Sequence, residues 1–405
     1  MPQPSAPDPF EQAKQLFLQG LDCYETGRFE DAEKRFVSSL ELLPGRVSTL
    51  VNLAAARLEL ARPQEALAAA DEVLALEPDN FDAWLHRGTA LGRLDRNEEA
   101  LASFEKVLAL DARLAEPWVR HGQVLQSLKR PEQALLSYES ALAIDPGLAQ
   151  AWSNRGGILQ EMKRLDEAAF AFEQAIAHGA DAELHGYYLA SVGAGATPAT
   201  APRRYVQSLF DDYAGQFDEH LVGTLHYRAH AVLAQHLEAP AGGGFRSALD
   251  LGCGTGLCGP LVKAMAGRLT GVDLSRPMMD KAKALGVYDR LAQADIVDFL
   301  RDTDETYDLV LAADVFIYVG DLAPIFDALH RVMDGAGTFC FSAELARHDS
   351  TGFELMPSLR YAHSEDYLRR LAATYGFDVA KVLRSAIRED QREVIEGLFC
   401  YLTRR

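Results

Sequence analysis

A 34-residue period runs from residue 13 to residue 182 and constrains the fold of this chain more than any other feature. Five kinds of residue keep the interval in register: Ala32, Ala66, Ala100, Ala134 and Ala168; Gly20, Gly88, Gly122 and Gly156; Phe36, Phe104, Tyr138 and Phe172; Trp84, Trp118 and Trp152; Pro44, Pro78 and Pro146. Each period has the pattern of two amphipathic helices joined by a tight turn, and proline follows the second helix. Because one such unit cannot bury its apolar face alone, the period predicts an all-α solenoid of stacked helix pairs.

This pattern resembles the tetratricopeptide repeat (TPR). The copies lie at 13–46, 47–80, 81–114, 115–148 and 149–182, followed by a partial cap at 183–190, so the TPR domain is predicted at 13–190. Residues 1–12 are predicted to be a disordered N-terminus. The resemblance implies a concave face that binds a protein partner. Its usual ligand positions lack the Lys/Asn pattern that holds a peptide carboxylate, so the partner stays unidentified.

Residues 191–204 are rich in Gly, Ala, Thr and Pro and predict a linker. Beyond them lies a second domain, 205–405, in which apolar runs alternate with helical stretches. The runs are 247–251, 268–273, 290–294, 307–313, 336–342, 378–383 and 397–402. Such alternation predicts a mostly parallel, doubly wound α/β sheet. The charged stretch at 384–396 makes the last two runs an antiparallel hairpin rather than a crossover unit.

Three acids end the first three of these runs. Asp250 precedes a turn with glycines at 252, 254 and 256, and a helical stretch follows. Strand, glycine turn and helix form the layout in which backbone N–H groups approach a cofactor closely. Asp273 and Asp295 end the next two runs, so all three carboxylates are expected at the same edge of the sheet.

These residues resemble the successive motifs of class I S-adenosyl-L-methionine-dependent methyltransferases, at Asp250–Gly256, Gly271–Ser275, Ala294–Ile296 and Tyr307–Val315. The resemblance implies a Rossmann-like domain whose seven strands have the order 3-2-1-4-5-7-6. It implies that Asp273 binds the ribose hydroxyls, Asp295 the adenine amine and Asp250 the methionine ammonium group. The implied cofactor-binding residues are Asp250, Gly252, Gly254, Gly256, Asp273, Leu274, Met278, Asp295, Ile296 and Ala313.

A nicotinamide or flavin site is the rival interpretation of the turn. Gly254 to Gly259 fits the G-x-G-x-x-G pattern, and Asp273 lies 19 residues beyond Gly254. The acid before the glycines, the third aligned acid at Asp295 and the terminal hairpin favour the methyl donor. A structural glycine turn with ordinary surface acids is the third interpretation.

The acceptor is expected where strands four and five end. Asp314 and Tyr318 follow the fourth strand, and Arg360 and His363 follow the fifth. An arginine suits a carboxylate or phosphate on the acceptor, and a histidine can act as base. His363 and Asp314 are therefore the catalytic candidates, and Arg360, Tyr318 and Tyr213 are the substrate-binding candidates. The alternative for His363 is a place beside a helix N-cap at Ser364.

Residues 205–220 resemble the lid helices of the same enzymes, with aromatic side chains at helical spacing: Tyr205, Phe210, Tyr213 and Phe217. Cofactor cover and core packing are both open interpretations of these rings. Methyl transfer needs an aligned and dry approach, which a lid would provide.

The formal charge of −19, with no basic excess in either half, disfavours nucleic acid as a partner. No apolar run approaches the roughly 20 residues that cross a bilayer, and the N-terminal residues are not a signal peptide. The sequence therefore predicts a cytoplasmic protein without a membrane partner. No cluster of His, Cys, Asp and Glu has metal-ligand spacing, and no metal is expected.

Together these patterns predict an S-adenosylmethionine-dependent methyltransferase with a small-molecule, acidic acceptor and a TPR domain for protein interaction or assembly. Two alternatives remain open at this stage. The acceptor could be a protein or a carrier-bound group docked by the TPR domain. In a different class, the chain would be a TPR interaction protein whose cofactor domain has lost turnover.

Overall fold

The computed structural model describes residues 8–240, 243–347, 351–390 and 393–405. The chain divides into two compact units, Met1–His185 and Gly186–Arg405. The first is helical, and the second is built on a mixed β-sheet.

The helices of the first unit follow one another in pairs, one pair for each predicted repeat. They are α1 (Pro9–Glu25), α2 (Phe29–Leu42), α3 (Val47–Glu59), α4 (Pro63–Leu76), α5 (Phe81–Arg93), α6 (Asn97–Leu110), α7 (Ala115–Ser127), α8 (Pro131–Ile144), α9 (Ala149–Glu161) and α10 (Leu165–Ala177). The predicted helical TPR array is confirmed. The next helix, α11 (Ala182–Ser191), contains the residue at which the two units divide.

An aromatic ring packs against each of the repeated glycines and leaves no room for a side chain there. A Cβ at Gly122 would lie 2.5 Å from the ring of Tyr138, and a Cβ at Gly156 would lie 2.5 Å from the ring of Phe172. Real Cβ contacts are not this short, so the two helices of a repeat can approach only at glycine. The second repeat compensates: Ala54 replaces the glycine, and the small Ala70 stands where the other repeats have a ring.

The helical array begins earlier than expected. The side chain of Asp8 caps α1 by accepting a hydrogen bond from the Phe10 backbone N–H at 3.1 Å, and proline occupies the first turn. Both features start a helix. The prediction of disorder over 1–12 is therefore wrong for residues 9–12, and residues 1–7 lie outside the described part of the chain.

The second unit contains the remaining elements. They are α12 (Arg203–Tyr213), a π-helical turn (Glu219–Thr224), α13 (Ala229–Gln235), β1 (Phe245–Leu251), α14 (Gly259–Lys263), β2 (Ala266–Asp273), α15 (Arg276–Ala284), β3 (Arg290–Gln293), α16 (Ile296–Asp302), β4 (Tyr307–Ala312), a 3-10 turn (Phe316–Tyr318), α17 (Ala323–Val332), β5 (Met333–Leu345), β6 (Phe353–Leu355), β7 (Tyr361–His363), α18 (Glu365–Thr374), β8 (Phe377–Asp390) and β9 (Glu393–Arg404).

The sheet has the predicted topology. Strands β3, β2, β1, β4 and β5 are parallel neighbours in that order, β9 pairs antiparallel with β5, and β8 pairs antiparallel with β9. Over the seven predicted strands this is the order 3-2-1-4-5-7-6, which is confirmed together with the terminal hairpin. The short strands β6 and β7 were not predicted; β7 joins β5 at Glu344 and Leu345.

Helices cover both faces of this sheet, as alternate residues of β4 demonstrate. Val310 and Ala312 belong to a buried cluster with helices α16, α17 and α18, whereas Leu309 and Leu311 belong to another with α13 and α14. Strands buried on both faces appear as continuous apolar runs, which explains the signal in the sequence.

The predicted linker is in part a structural element of the second unit. The Ala199 carbonyl accepts hydrogen bonds from the Gly320 and Asp321 backbone N–H groups at 2.9 and 2.8 Å, and the Ala201 N–H donates to the Tyr318 carbonyl at 3.0 Å. The prediction of a linker over 191–204 is therefore wrong for this stretch. Small residues and proline predicted a boundary or short linker, and backbone groups of this stretch are paired with the loop after β4.

Across the described residues, every helix is too short or too polar to span a bilayer.

Candidate functional site

The glycine turn after β1 has a left-handed conformation that other residues rarely adopt. Gly252 has a φ of 64°, and a Cβ there would lie 2.5 Å from Cγ2 of Val315. Gly256 has a φ of 92°. Left-handed backbone of this kind favours glycine strongly. At the carboxyl end of β1, Gly252 and Gly254 are half-buried and Gly256 is buried.

Asp273, the last residue of β2, is bonded to this turn. One carboxylate oxygen accepts a hydrogen bond from the Gly254 N–H at 2.8 Å, and the other accepts one from the Ser275 N–H at 2.9 Å. Burial raises the pKa of Asp273, and these N–H donors pull it back toward the ionised form. Each oxygen keeps a lone pair for a further donor. The two backbone contacts fix the orientation of a carboxylate that can accept from a diol.

Asp250 lies at the end of β1 and is 1% exposed. Burial raises the pKa of its carboxyl to about 7, and a hydrogen bond from Tyr288 acts in the opposite direction. The Tyr288 hydroxyl donates to Oδ2 of Asp250 at 2.7 Å. Tyr288 was not found from the sequence, because its contact with Asp250 spans 38 residues and leaves no local pattern.

Asp295 caps a helix in addition to ending the third apolar run. Its Oδ1 accepts from the backbone N–H groups of Val297 and Asp298 at 2.9 and 3.2 Å, at the start of α16. Its Oδ2 lies 3.5 Å from the guanidinium of Arg203. The remaining carboxylate lone pairs are the ones that a ligand amine would use.

The other predicted cofactor residues surround the same edge. Met278 is buried, and its Cε lies 3.8 Å from a Cβ placed at Gly254. Ile296 is buried at the start of α16, while Leu274 and Ala313 are half-buried. The structure thus brings the turn, Asp273 and Met278 together, with Asp250 beneath them.

The segment from α12 to the π-helical turn is attached to this region by two acids that the sequence did not single out. Asp211 accepts a hydrogen bond from the Ser275 hydroxyl at 2.6 Å, and Asp218 accepts one from the Thr255 hydroxyl at 2.5 Å. Both hydroxyls flank the cofactor-binding residues. These two hydrogen bonds attach the stretch that resembles the lid helices, residues 205–220, to this edge of the sheet. Its role as a lid stays a prediction.

The substrate-binding candidates share one electrostatic environment. Burial raises the pKa of Tyr318 to about 12, and the positive charge of Arg360 opposes this shift. The same two effects act on Tyr213 and Tyr205. The ring of Phe210 lies 5.5 Å from that of Tyr318. Arg360 therefore acts electrostatically on all three phenol groups.

Asp314 is part of a buried ion cluster. It has a φ of 59°, and its Oδ2 pairs with the Arg388 guanidinium at 2.6 Å. Arg388 is 2% exposed and also pairs with Glu344 on β5. Arg388 and Glu344 were both missed. The predicted strand stopped at 383, whereas β8 continues to Asp390 and carries Arg388 into the core.

His363 is placed differently from the expectation of a base. The residue is fully buried, and its Nε2 lies 3.0 Å from the Gly320 carbonyl. Burial lowers the pKa of His363 to about 4. An enclosed and neutral imidazole that supports the loop after β4 does not suit proton transfer from an acceptor. The alternative is observed: Ser364 caps α18 by accepting from the Tyr367 N–H at 3.2 Å.

Three stretches of the sequence match known protein families. Residues 249–341 match the methyltransferase domain family, residues 119–183 match a tetratricopeptide repeat family, and residues 3–113 match the bacterial transcriptional activator domain family.

A curated relative is the malonyl-[acyl-carrier protein] O-methyltransferase of Salmonella typhimurium (strain LT2). It is 31% identical over 121 residues, which cover 29% of this chain and 48% of the relative. The match thus spans about half the length of that protein.

Solved structures of several other proteins are similar to part of this chain. MamA of Desulfovibrio magneticus RS-1 is 21% identical, with a TM-score of 0.39 over 41% of this chain and 94% of the other. A TPR protein of Thermus thermophilus is 23% identical, with a TM-score of 0.37 over 41% and 91%. Pseudomonas aeruginosa pilF is 20% identical, with a TM-score of 0.41 over 46% and 86%.

The family matches agree with the sheet order and the helix pairs. The N-terminal part of the chain carries TPR repeats, and the C-terminal part carries a class I methyltransferase domain. Domains of this class typically use S-adenosylmethionine.

Proposed function

We propose that this chain transfers the methyl group of S-adenosyl-L-methionine to a carboxylate on a small acidic acceptor. The observation that carries the proposal is the contact of the Asp273 carboxylate with the Gly254 N–H at 2.8 Å. It joins the ends of two adjacent strands into one surface with carboxylate oxygens and glycine backbone.

The residues fit the chemical groups of the cofactor. Asp273 would accept from both ribose hydroxyls, and Asp250 would face the methionine ammonium group. Asp295 would accept from the adenine amine, with Ile296 and Met278 against the ring. The glycine turn would lie against the amino-acid tail, and Gly252 itself packs so closely on Val315 that a side chain there would clash. When bound, the sulfonium supplies an activated methyl group and a neutral leaving group.

The acceptor would lie beside Arg360, Tyr213 and Tyr318. A carboxylate suits this site because a guanidinium binds it in a fixed geometry. A carboxylate is also ionised at neutral pH, so it needs no general base. This agrees with a site in which His363 is enclosed and Asp314 is paired with Arg388. The contribution of the protein would be alignment and exclusion of water, with residues 203–224 as the lid.

A carrier-bound acceptor is the second candidate. The printed name of the Salmonella relative gives a malonyl group on an acyl carrier protein as its acceptor. In this version the TPR domain would dock the carrier through its concave face. In the first version it would bind another protein or mediate assembly. The formal charge of −19 argues against nucleic acid as a partner.

Cofactor binding can be tested by calorimetry on the full chain with S-adenosylhomocysteine. Asp273→Ala removes hydrogen bonds to a charged acceptor and should weaken binding roughly 10- to 100-fold. The control is Asp280→Ala, an exposed acid on α15 that pairs with Arg276. Unchanged affinity in Asp273→Ala, or binding of NADH in place of S-adenosylhomocysteine, would contradict the assignment.

The acceptor can be tested with labelled methyl groups in a lysate that is separated into proteins and small molecules. Label in the small-molecule fraction that mild alkali releases as methanol would identify a methyl ester on a free acid. Alkali-labile label on a protein would favour the carrier-bound acceptor. Cofactor binding without any transfer would favour the third interpretation, an interaction protein that has lost turnover.

A further inference from the structure

Tyr288 lies between α15 and β3, outside the motifs that define the cofactor site. Its hydroxyl nevertheless donates a hydrogen bond of 2.7 Å to Oδ2 of Asp250, across 38 residues of sequence. Burial and the neighbouring Asp250 raise the pKa of Tyr288, so the phenol keeps its proton. It is a permanent donor to this carboxylate at neutral pH.

The ring of Tyr288 occupies a slot that three glycines create. A Cβ at Gly256 would lie 3.1 Å from the ring, one at Gly259 would lie 2.8 Å from it, and one at Gly271 would lie 2.9 Å from it. These glycines belong to three segments: the turn, the start of α14 and β2. Any side chain at Gly259 or Gly271 would displace the ring. The slot therefore fixes the hydroxyl on Asp250 with little freedom.

We propose that Tyr288 is a positioning residue of the cofactor site, which aims the Asp250 carboxylate and keeps it ionised for the ammonium group of the bound cofactor. The proposal rests on the proposed function, because it assumes that the domain binds S-adenosylmethionine. It goes beyond that function by assigning a role to a residue outside the glycine turn and the three aligned acids.

The groups that act electrostatically with Asp250 lie on every side of it. Asp273 comes from β2, Cys253 and Cys258 from the turn, Cys340 from β5, and Tyr227 from the segment before α13. Burial and Asp273 raise the pKa of Asp250 to about 7, and the Tyr288 hydrogen bond lowers it. Loss of the hydroxyl therefore moves the pKa of Asp250 above 7. A smaller fraction of the carboxylate is then charged at neutral pH.

The test compares two ligands on the full chain by calorimetry. S-adenosylhomocysteine carries the ammonium group, whereas 5′-methylthioadenosine has the same nucleoside and thioether without the amino-acid tail. At pH 7, Tyr288→Phe should lower the affinity for S-adenosylhomocysteine by about tenfold, in line with one hydrogen bond to a charged group. It should change the affinity for 5′-methylthioadenosine by less than about twofold. The difference should narrow at pH 8.5, because a larger fraction of Asp250 is ionised there in both proteins than at pH 7.

Tyr401→Phe is the matched control, because that buried phenol donates to the Val232 carbonyl at 3.1 Å and does not contact Asp250. Equal losses for both ligands, or the same losses in the control, would mean a structural role only and would overturn the proposal. Absence of S-adenosylhomocysteine binding in the wild-type chain would overturn the proposed function itself, which is a separate result.

Asp250→Asn keeps the test valid if Tyr288→Phe does not fold. This variant should lose the preference for S-adenosylhomocysteine over methylthioadenosine, together with its dependence on pH. If Asp250→Asn keeps both the ligand preference and its pH dependence, Asp250 does not bind the ammonium group, and the role proposed for Tyr288 is wrong.

Discussion

Arg388 connects three segments of the methyltransferase domain through charge. Its guanidinium on β8 pairs with Asp314 after β4 and with Glu344 on β5. Buried ion clusters of this kind are costly to desolvate and are poor contributors to net stability. Removal of the Arg388 guanidinium, however, would take the ion-pair partner from two buried carboxylates at once.

Arg388→Met should therefore lower the stability of this part of the sheet by about 3–5 kcal/mol. Arg384→Met is the control on the same strand, because Arg384 is 55% exposed and pairs with Glu365 at the surface. Its expected cost is below about 1 kcal/mol. Native-state hydrogen exchange of peptides from β5 and β8 measures both. Equal protection in the two variants would contradict the assignment of a buried cluster.

His363 gives a pH-dependent contribution with a definite sign. Its pKa of about 4 in the folded chain lies below the value of about 6.5 expected when the chain is unfolded. The unfolded state therefore takes up a proton between these values and the native state does not. Stability must fall as the pH falls from 6.5 toward 4.

Acidification from pH 7.5 to 5.5 should cost the wild-type chain about 1 kcal/mol more than His363→Gln, which cannot take up a proton. Urea denaturation at both pH values, read by hydrogen exchange of peptides from β7, measures the difference. His330→Gln is the control, because His330 is exposed on α17. The same pH dependence in wild type and His363→Gln would mean that the imidazole is accessible to water.

These residues mark the limit of prediction from sequence at the smallest scale. Asp250, Asp273 and the glycines stand at fixed spacing beside apolar runs, so a local pattern was sufficient to find them. Tyr288 and Arg388 act on Asp250 and Asp314 across 38 and 74 residues. No local pattern contains such contacts. His363 had the right chemistry for an acceptor site, but it is enclosed, and burial depends on the whole fold.

At the scale of elements, the strands were predictable where they are buried on both faces. β3 is an edge strand without a fully buried residue, but β1, β2, β4 and β5 gave apolar runs of this kind. The end of β8 did not, because residues 384–390 are charged and the strand bulges between Ala386 and Arg388. β6 and β7 have three residues each and show no periodicity. The solenoid was predicted better, because five copies of one pattern reinforce each other.

The glycine–aromatic pairs of the solenoid give a prediction with an internal control. Gly156 and Gly157 are neighbours in α9, but a Cβ at 156 would lie 2.5 Å from the Phe172 ring and one at 157 would meet nothing within 4 Å. Gly156→Ala should destabilise the TPR domain by about 1–3 kcal/mol through overpacking. Gly157→Ala should stabilise it by about 0.5–1 kcal/mol, because alanine favours the helix.

Tryptophan fluorescence during urea denaturation reports this difference, because all three tryptophans (Trp84, Trp118 and Trp152) lie in the repeats. Opposite signs at adjacent positions exclude a general effect of helix propensity. Stabilisation by both substitutions would contradict the close helix approach.

At the scale of the whole molecule, the composition of residues 191–204 placed the boundary between the two units too late in the chain. The contacts divide the chain at Gly186, and the residues after it belong to the methyltransferase unit. Tyr187 is fully buried and donates a hydrogen bond to the Leu359 carbonyl at 2.6 Å. Tyr361 donates to the Pro198 carbonyl at 2.9 Å. Residues 191–204 are rich in small residues and proline, as a flexible linker also is. The sequence alone therefore could not distinguish a segment that packs over the loop after β4 from a linker.

A fragment that begins at Gly186 should therefore fold and bind S-adenosylhomocysteine within about twofold of the full chain, whereas one that begins at Tyr205 should be much less stable. The shorter fragment loses the Tyr187 side chain, and removal of a large buried aromatic group alone costs about 3–5 kcal/mol. It also leaves the backbone N–H groups of Gly320 and Asp321 without the Ala199 carbonyl.

Thermal unfolding of both fragments, with Tyr187→Ala in the longer one as the intermediate case, measures the contribution of each part. Equal melting temperatures of the two fragments would mean that residues 191–204 are a linker after all. A longer fragment that binds cofactor and still methylates a small acid would separate catalysis from the TPR domain, which would leave that domain the task of choosing a protein partner.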